Sequence, residues 1–115
     1  LVVQEIGARV TCGRLFYELA KEYENGGDFV IIDFRTKSEY SSGYIKNSTN
    51  LDFYDNNLKN NLNNLDKNKT YLIYCRSGNR SGQALKIMKD LGFKKVYNMI
   101  GGIIDWESKK YPLEK

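Results

Sequence analysis

The sequence contains no histidine. That excludes Ser-His-Asp and Cys-His catalysis, histidine-ligated zinc and a histidine pH switch. Cysteine is scarce. Cys12 and Cys75 are too few for a thiolate-only structural zinc site and are not spaced as a C-x-x-C pair, so neither a metal, a redox dithiol nor a disulfide framework is expected. A single proline rules out a proline-rich linker. Long apolar runs are missing too: stretches such as Phe29 to Ile32 fall far short of the roughly 20 residues that cross a bilayer, so no membrane partner is expected.

What is present is the composition of an ordinary globular protein, 41% hydrophobic and 28% charged over 115 residues. One domain spanning residues 1–115 with a sizeable core is the expectation. The net charge of +4 comes from 18 basic residues interspersed with 14 acidic ones, which favours anionic partners without building a nucleic-acid face. Lys94-Lys95 and Lys109-Lys110 read as solvated surface charge, and no nucleic acid is expected. The compartment is open: a soluble cytoplasmic protein is the expectation, with an exported form the alternative because the chain begins with Leu1 rather than Met.

Leu15, Phe16, Leu19, Ala20 and Tyr23 recur at helical spacing, which predicts a helix from about Thr11, as N-cap, to Glu24, with Gly26-Gly27 as its stop. Phe29 to Ile32 and Tyr71 to Tyr74 are short apolar runs of the kind buried on both faces of a parallel sheet. Ala84, Leu85, Met88 and Leu91 mark a second helix, ended by Gly92 in a left-handed cap with Phe93 folding back on Met88. Lys95 to Met99 reads as a strand, Gly101-Gly102 as a turn, and Ile103 to Lys110 as a last helix. The segment from Asn47 to Thr70 carries nine asparagines and reads as a peripheral connection with one short helix, its apolar face made by Leu51, Phe53, Leu58, Leu62 and Leu65. The alternation predicts an α/β fold, a mostly parallel sheet with helices on both faces, whose ligands sit at the carboxyl ends of the strands.

At such an end lies Cys75-Arg76-Ser77-Gly78-Asn79-Arg80-Ser81, leading into a helix. A thiol there has three reasons to ionise: the helix N-terminus, inward-pointing amides of Ser77 to Ser81, and the charges of Arg76 and Arg80. Gly78 and Asn79 tolerate the positive φ that a loop wrapped round one atom needs. Cys75 is therefore the candidate nucleophile. Its bland alternative is an apolar filler at a strand end; Cys12, in the first turn of the first predicted helix with no anion-binding loop, reads as a core or surface filler.

The loop resembles the active-site loop of rhodanese-type sulfurtransferases. So do two further motifs in the same order: Asp33-Phe34-Arg35 with Glu39-Tyr40 and Gly43-Tyr44-Ile45 resembles the family's D-x-R…E-[FY]-x-x-G-H-I signature, and Gly101-Gly102-Ile103-Ile104-Asp105-Trp106 its G-G-x-x-x-W. The resemblance spans about residues 11 to 106 and departs at Tyr44, where the family usually has histidine. It implies that Cys75 takes sulfur from a small anionic donor such as thiosulfate and passes it to a thiophilic acceptor, cyanide, a thiol or a sulfur-acceptor protein, with no cofactor. Arg76, Ser77, Gly78, Asn79, Arg80 and Ser81 would form the substrate loop. Asp33, Arg35, Glu39 and Trp106 read as structural support: the first two satisfy loop groups and each other, Glu39 caps a turn, and Trp106 anchors the core. Two alternatives remain: a cysteine phosphatase, whose loops carry arginine six residues after the cysteine where this chain has Ser81, and a non-catalytic docking or sulfur-relay module.

Overall fold

The computed structural model describes residues 3–5, 8–11, 13–24 and 29–115. The elements run β1 (Val3–Glu5), β2 (Ala8–Thr11), α1 (Gly13–Glu24), β3 (Phe29–Asp33), α2 (Lys37–Ser41), β4 (Ser48–Asn50), α3 (Leu58–Asn63), β5 (Thr70–Tyr74), α4 (Asn79–Asp90), β6 (Lys95–Met99) and α5 (Gly102–Ser108). They form an α/β fold about one sheet of order β1-β2-β6-β5-β3-β4. Only β1 is antiparallel to its neighbour.

β5 lies between β3 and β6, and its apolar run is explained by burial on both faces. Leu72 and Tyr74 point to one side, among Phe16 of α1 and Ile103 and Trp106 of α5. Tyr71 and Ile73 point to the other, among Leu58 and Leu62 of α3 and Ala84 and Met88 of α4. Two helices thus cover each face, as the two-sided apolar strands require. α4 ends as its sequence predicts: Gly92 takes φ 93°, its N–H donates to Lys89 O at 3.1 Å, and Phe93 N–H donates to Met88 O at 3.1 Å.

Several boundaries differ from the sequence expectation. Thr11 is not a helix cap but the last residue of β2, paired with Met99, and α1 starts at Gly13. The proposed stop at Gly26-Gly27 lies outside the described residues. α4 begins at Asn79 rather than near Ala84, because Gly78 in the left-handed conformation (φ 103°) turns the chain into the helix at once. Arg80 and Ser81 therefore sit on a helical turn, not on a loop. α5 runs one residue earlier and ends at Ser108, with Lys110 at φ 59° closing it. The polar strand β4 and the five-residue α2 carry no apolar period and were not anticipated.

The strand order fixes where chemistry can occur. From β3 the chain steps to β4 on one side, and from β5 to β6 on the other. The sense of winding reverses between β3 and β5, and the crevice opens at their carboxyl ends. Asp33-Phe34-Arg35 leaves one of those ends and Cys75 the other, joined by Phe34 N–H to Tyr74 O at 2.8 Å.

Candidate active site

Cys75 follows directly on β5 and is 1% exposed. Arg76 and Ser77 carry the chain from it to the left-handed Gly78 and into α4, so amides at the start of that helix face back toward the sulfur. Gly78 N–H donates to Sγ at 3.0 Å and Ser81 Oγ–H donates to it at 3.3 Å. Burial pushes the thiol up, but the Ser81 hydroxyl and the backbone N–H groups of Ser81, Gly78 and Ser77 more than offset it, and the net shift is downward. Asn79, by contrast, adopts ordinary helical backbone and needs no positive φ.

A loop that turns its amides inward must send its carbonyls out, and buried carbonyls need partners. The start of α5 supplies them. Ile103 N–H donates to Cys75 O at 2.9 Å and Ile104 N–H to Arg76 O at 3.2 Å. That approach requires Gly102: a Cβ there, at φ 59°, would lie 2.4 Å from Arg76 O and 2.5 Å from Cys75 O. From the sequence, Gly101-Gly102 reads as a turn and as part of the G-G-x-x-x-W resemblance, with no role at the cysteine. Its signal was the second glycine, which a simple turn does not need.

The two arginines part company. Arg76 is exposed. Arg80 forks onto Glu39, Nη1 to Oε1 at 2.8 Å and Nη2 to Oε2 at 3.0 Å, with its guanidinium 5.8 Å from the Tyr54 ring centroid. Glu39 is held down at about 2 by Arg80 first, against partial burial, and then by Thr36. Glu39 also caps the start of α2 rather than the turn before Gly43: Thr36 N–H donates to Glu39 Oε1 at 3.0 Å, and Glu39 N–H to Thr36 Oγ1 at 3.3 Å. Glu39 thus does more than cap α2; it ties that helix to the Cys75 loop.

Asp33 and Arg35 are both buried and form a clasp. Arg35 Nη2 meets Asp33 Oδ2 at 2.8 Å and donates to Gly43 O at 2.6 Å, while Arg35 N–H donates to Asp33 Oδ1 at 2.8 Å. Burial alone would lower the arginine, yet Asp33 raises it, and the net shift of the guanidinium is upward. No atom of the clasp reaches the sulfur among the hydrogen bonds described. Trp106 is buried, edge-on to Phe16, and its Nε1–H donates to Pro112 O at 2.9 Å. Tyr44 stacks on Tyr40 with centroids 4.3 Å apart. Cys12 lies outside the described residues. Among those residues no group of three or more His, Cys, Asp and Glu is placed to hold a metal, and no helix is long and apolar enough to cross a membrane.

The arrangement can hold a thiolate, or one further anionic sulfur, on neutral dipoles without a general base. Comparison with known proteins agrees in kind. The family model for the rhodanese-like domain matches residues 16–109. A sulfurtransferase of Allochromatium vinosum is 30% identical over 95 residues, covering 83% of this chain and 87% of its own. A thiosulfate sulfurtransferase of Coxiella burnetii is 33% identical, covering 70% and 74% respectively. A rhodanese-related protein of Thermoplasma volcanium superposes with a TM-score of 0.78 at 28% identity, over 91% of this chain and 96% of that one.

Proposed function

We propose that this chain, which belongs to the rhodanese-like domain family, is a sulfurtransferase that carries sulfane sulfur as a persulfide on Cys75. The Cys75 thiolate attacks the outer sulfur of thiosulfate or a similar anionic donor. A bond forms between Sγ and that sulfur, the donor's S–S bond breaks, and sulfite leaves with the electron pair. An acceptor, cyanide or a thiol, then attacks the outer sulfur, and Cys75 leaves as thiolate. Ser77, Gly78 and Ser81 steady the sulfur in both states, and Arg76 attracts the donor.

The observation that carries this reading is the pair of donors on Sγ, Gly78 N–H at 3.0 Å and Ser81 Oγ–H at 3.3 Å. A filler cysteine has no need of them. The phosphatase alternative is weakened by Arg80, whose fork is engaged by Glu39 and lies one residue too early to close on a phosphate. The test is the mass of the protein after thiosulfate, and again after cyanide. The wild type should gain one sulfur and lose it to cyanide, and Cys75→Ser should gain none. A persulfide that forms equally in Cys75→Ser would sink the assignment.

A further inference from the structure

Three large hydrophobic side chains are well exposed among the described residues: Tyr54 at 67%, Ile100 at 52% and Ile104 at 45%. Scattered singly, such residues call for no explanation. These three are not scattered. They come from separate parts of the chain, and each borders a different residue of the Cys75 loop. Tyr54, between β4 and α3, lies against Arg80. Ile100 joins Met99 to Gly101, and a Cβ on Gly78 would stand 3.5 Å from Met99 O and 3.4 Å from Gly101 N. Ile104 donates its N–H to Arg76 O. The segments that carry the three exposed apolar groups thus ring the loop, meeting it at Arg80, Gly78 and Arg76. Within it Arg76 is exposed, and no described carboxylate pairs with it.

Resting on the sulfur-transfer reading, we infer that this ring docks a polypeptide acceptor that presents a cysteine thiol flanked by apolar side chains and a carboxylate. Thiosulfate and cyanide have no apolar surface to bury against Tyr54, Ile100 and Ile104, so small ions give the ring no purpose. A polypeptide does bury such surface, and its carboxylate complements Arg76, the loop cation that Glu39 leaves free. In the transfer the acceptor thiolate attacks the outer sulfur of the Cys75 persulfide. The new S–S bond forms on the acceptor, the bond to Sγ breaks, and its electron pair returns to Cys75. No other reactant is consumed.

The test loads the full chain with thiosulfate and confirms by mass the gain of one sulfur. Discharge is then followed to a synthetic peptide whose cysteine is flanked by leucine and aspartate, to one flanked by serine and lysine, and to cyanide. Rates are compared per thiolate in the wild type and in Ile100→Ser/Ile104→Ser. The wild type should favour the leucine and aspartate peptide by about tenfold in kcat/KM, and the double variant should lose most of that preference. Loading and cyanide discharge should stay within about twofold, since neither side chain touches the sulfur. Equal rates for the two peptides, or a preference that survives the double substitution, overturn the docking surface alone. Benzyl mercaptan discharging the protein as fast as the preferred peptide also overturns it, by assigning the ring to small apolar thiols. Failure of the wild type to load refutes sulfur transfer itself, and docking with it.

Discussion

Replacing Ser81 by alanine should raise the titration of Cys75 while leaving the fold intact. The Ser81 hydroxyl is buried on the first turn of α4, and its oxygen lies 3.3 Å from Sγ and 3.4 Å from Gly78 O. Gly78 O keeps its bond from Gly82 N–H at 2.9 Å, so the substitution orphans no backbone group. Burial pushes the thiol up, and of the groups that bring it down the Ser81 hydroxyl is the strongest. A hydrogen bond to a charged partner contributes about 1.5–3 kcal/mol. The neutral thiol, a weak acceptor, keeps part of that, leaving about 1–2 kcal/mol of preference for the thiolate.

The assay is the rate of iodoacetamide alkylation against pH, read by mass on the peptide containing Cys75 so that Cys12 does not contribute. Burial slows the absolute rate in both proteins but does not displace the inflection. In Ser81→Ala the inflection should move up, and Ser81→Thr, which restores a hydroxyl, should bring it back. Loading by thiosulfate at neutral pH should fall only about threefold, because the more basic thiolate is also the better nucleophile. An inflection that stays in place or moves down in Ser81→Ala would refute the claim that side-chain donation holds this thiolate.

Two further outcomes follow from the neighbours of the loop. Gly102→Ala places a Cβ 2.4 Å from Arg76 O at a φ of 59°, and should destabilise the protein in urea unfolding by about 3 kcal/mol and abolish loading; a loss below about 1 kcal/mol would mean that α5 does not need so close an approach. Glu39 is depressed to about 2, so its pairing stabilises the protein above the ordinary carboxylate range and is lost as pH falls through about 2. After discounting for partial exposure, Glu39→Gln should cost about 1–2 kcal/mol at neutral pH. Unfolding free energies measured down to acid pH should converge for the two proteins, and curves that stay parallel would refute the pairing as a source of stability.

The parts of the fold legible in the sequence were those where burial dictates residue type. β3 and β5 were read within a residue because two-sided burial leaves only apolar choices at Ile31, Ile32, Leu72 and Ile73. The cap at Gly92 and Phe93 was legible because its backbone geometry demands glycine. β4 and α2 were not: β4 is an edge strand of polar residues paired only with β3, and α2 has no buried residue, so neither leaves an apolar period. At the site, Cys75 and its amides were legible from a short glycine-bearing loop between strand and helix. The partner of Arg80 was not, since Glu39 lies 41 positions away and no local spacing connects them. Counting both arginines as loop cations followed from that omission.

The pairing of Arg80 with Glu39 alters how the site holds charge. Had Arg76 and Arg80 both faced the sulfur, the thiolate would rest on two full charges, screened by salt and competing for the incoming anion. Instead Glu39 takes the Arg80 fork, and the sulfur is held by a hydroxyl and three amides, dipoles fixed by the fold. Fixed dipoles accept a thiolate and a persulfide alike, because either needs only donors aimed at a region of negative charge. In the proposed transfer from thiosulfate, fixed dipoles would also bind the leaving sulfite less tightly than a pair of guanidinium groups, which would favour its departure. The demand on the fold is then to keep the amides pointed inward. Gly78 does this from inside the loop by its left-handed turn, and α5 from outside by taking the carbonyls of Cys75 and Arg76. The Gly101-Gly102 turn, far along the chain from the cysteine, belongs to the reaction for that reason.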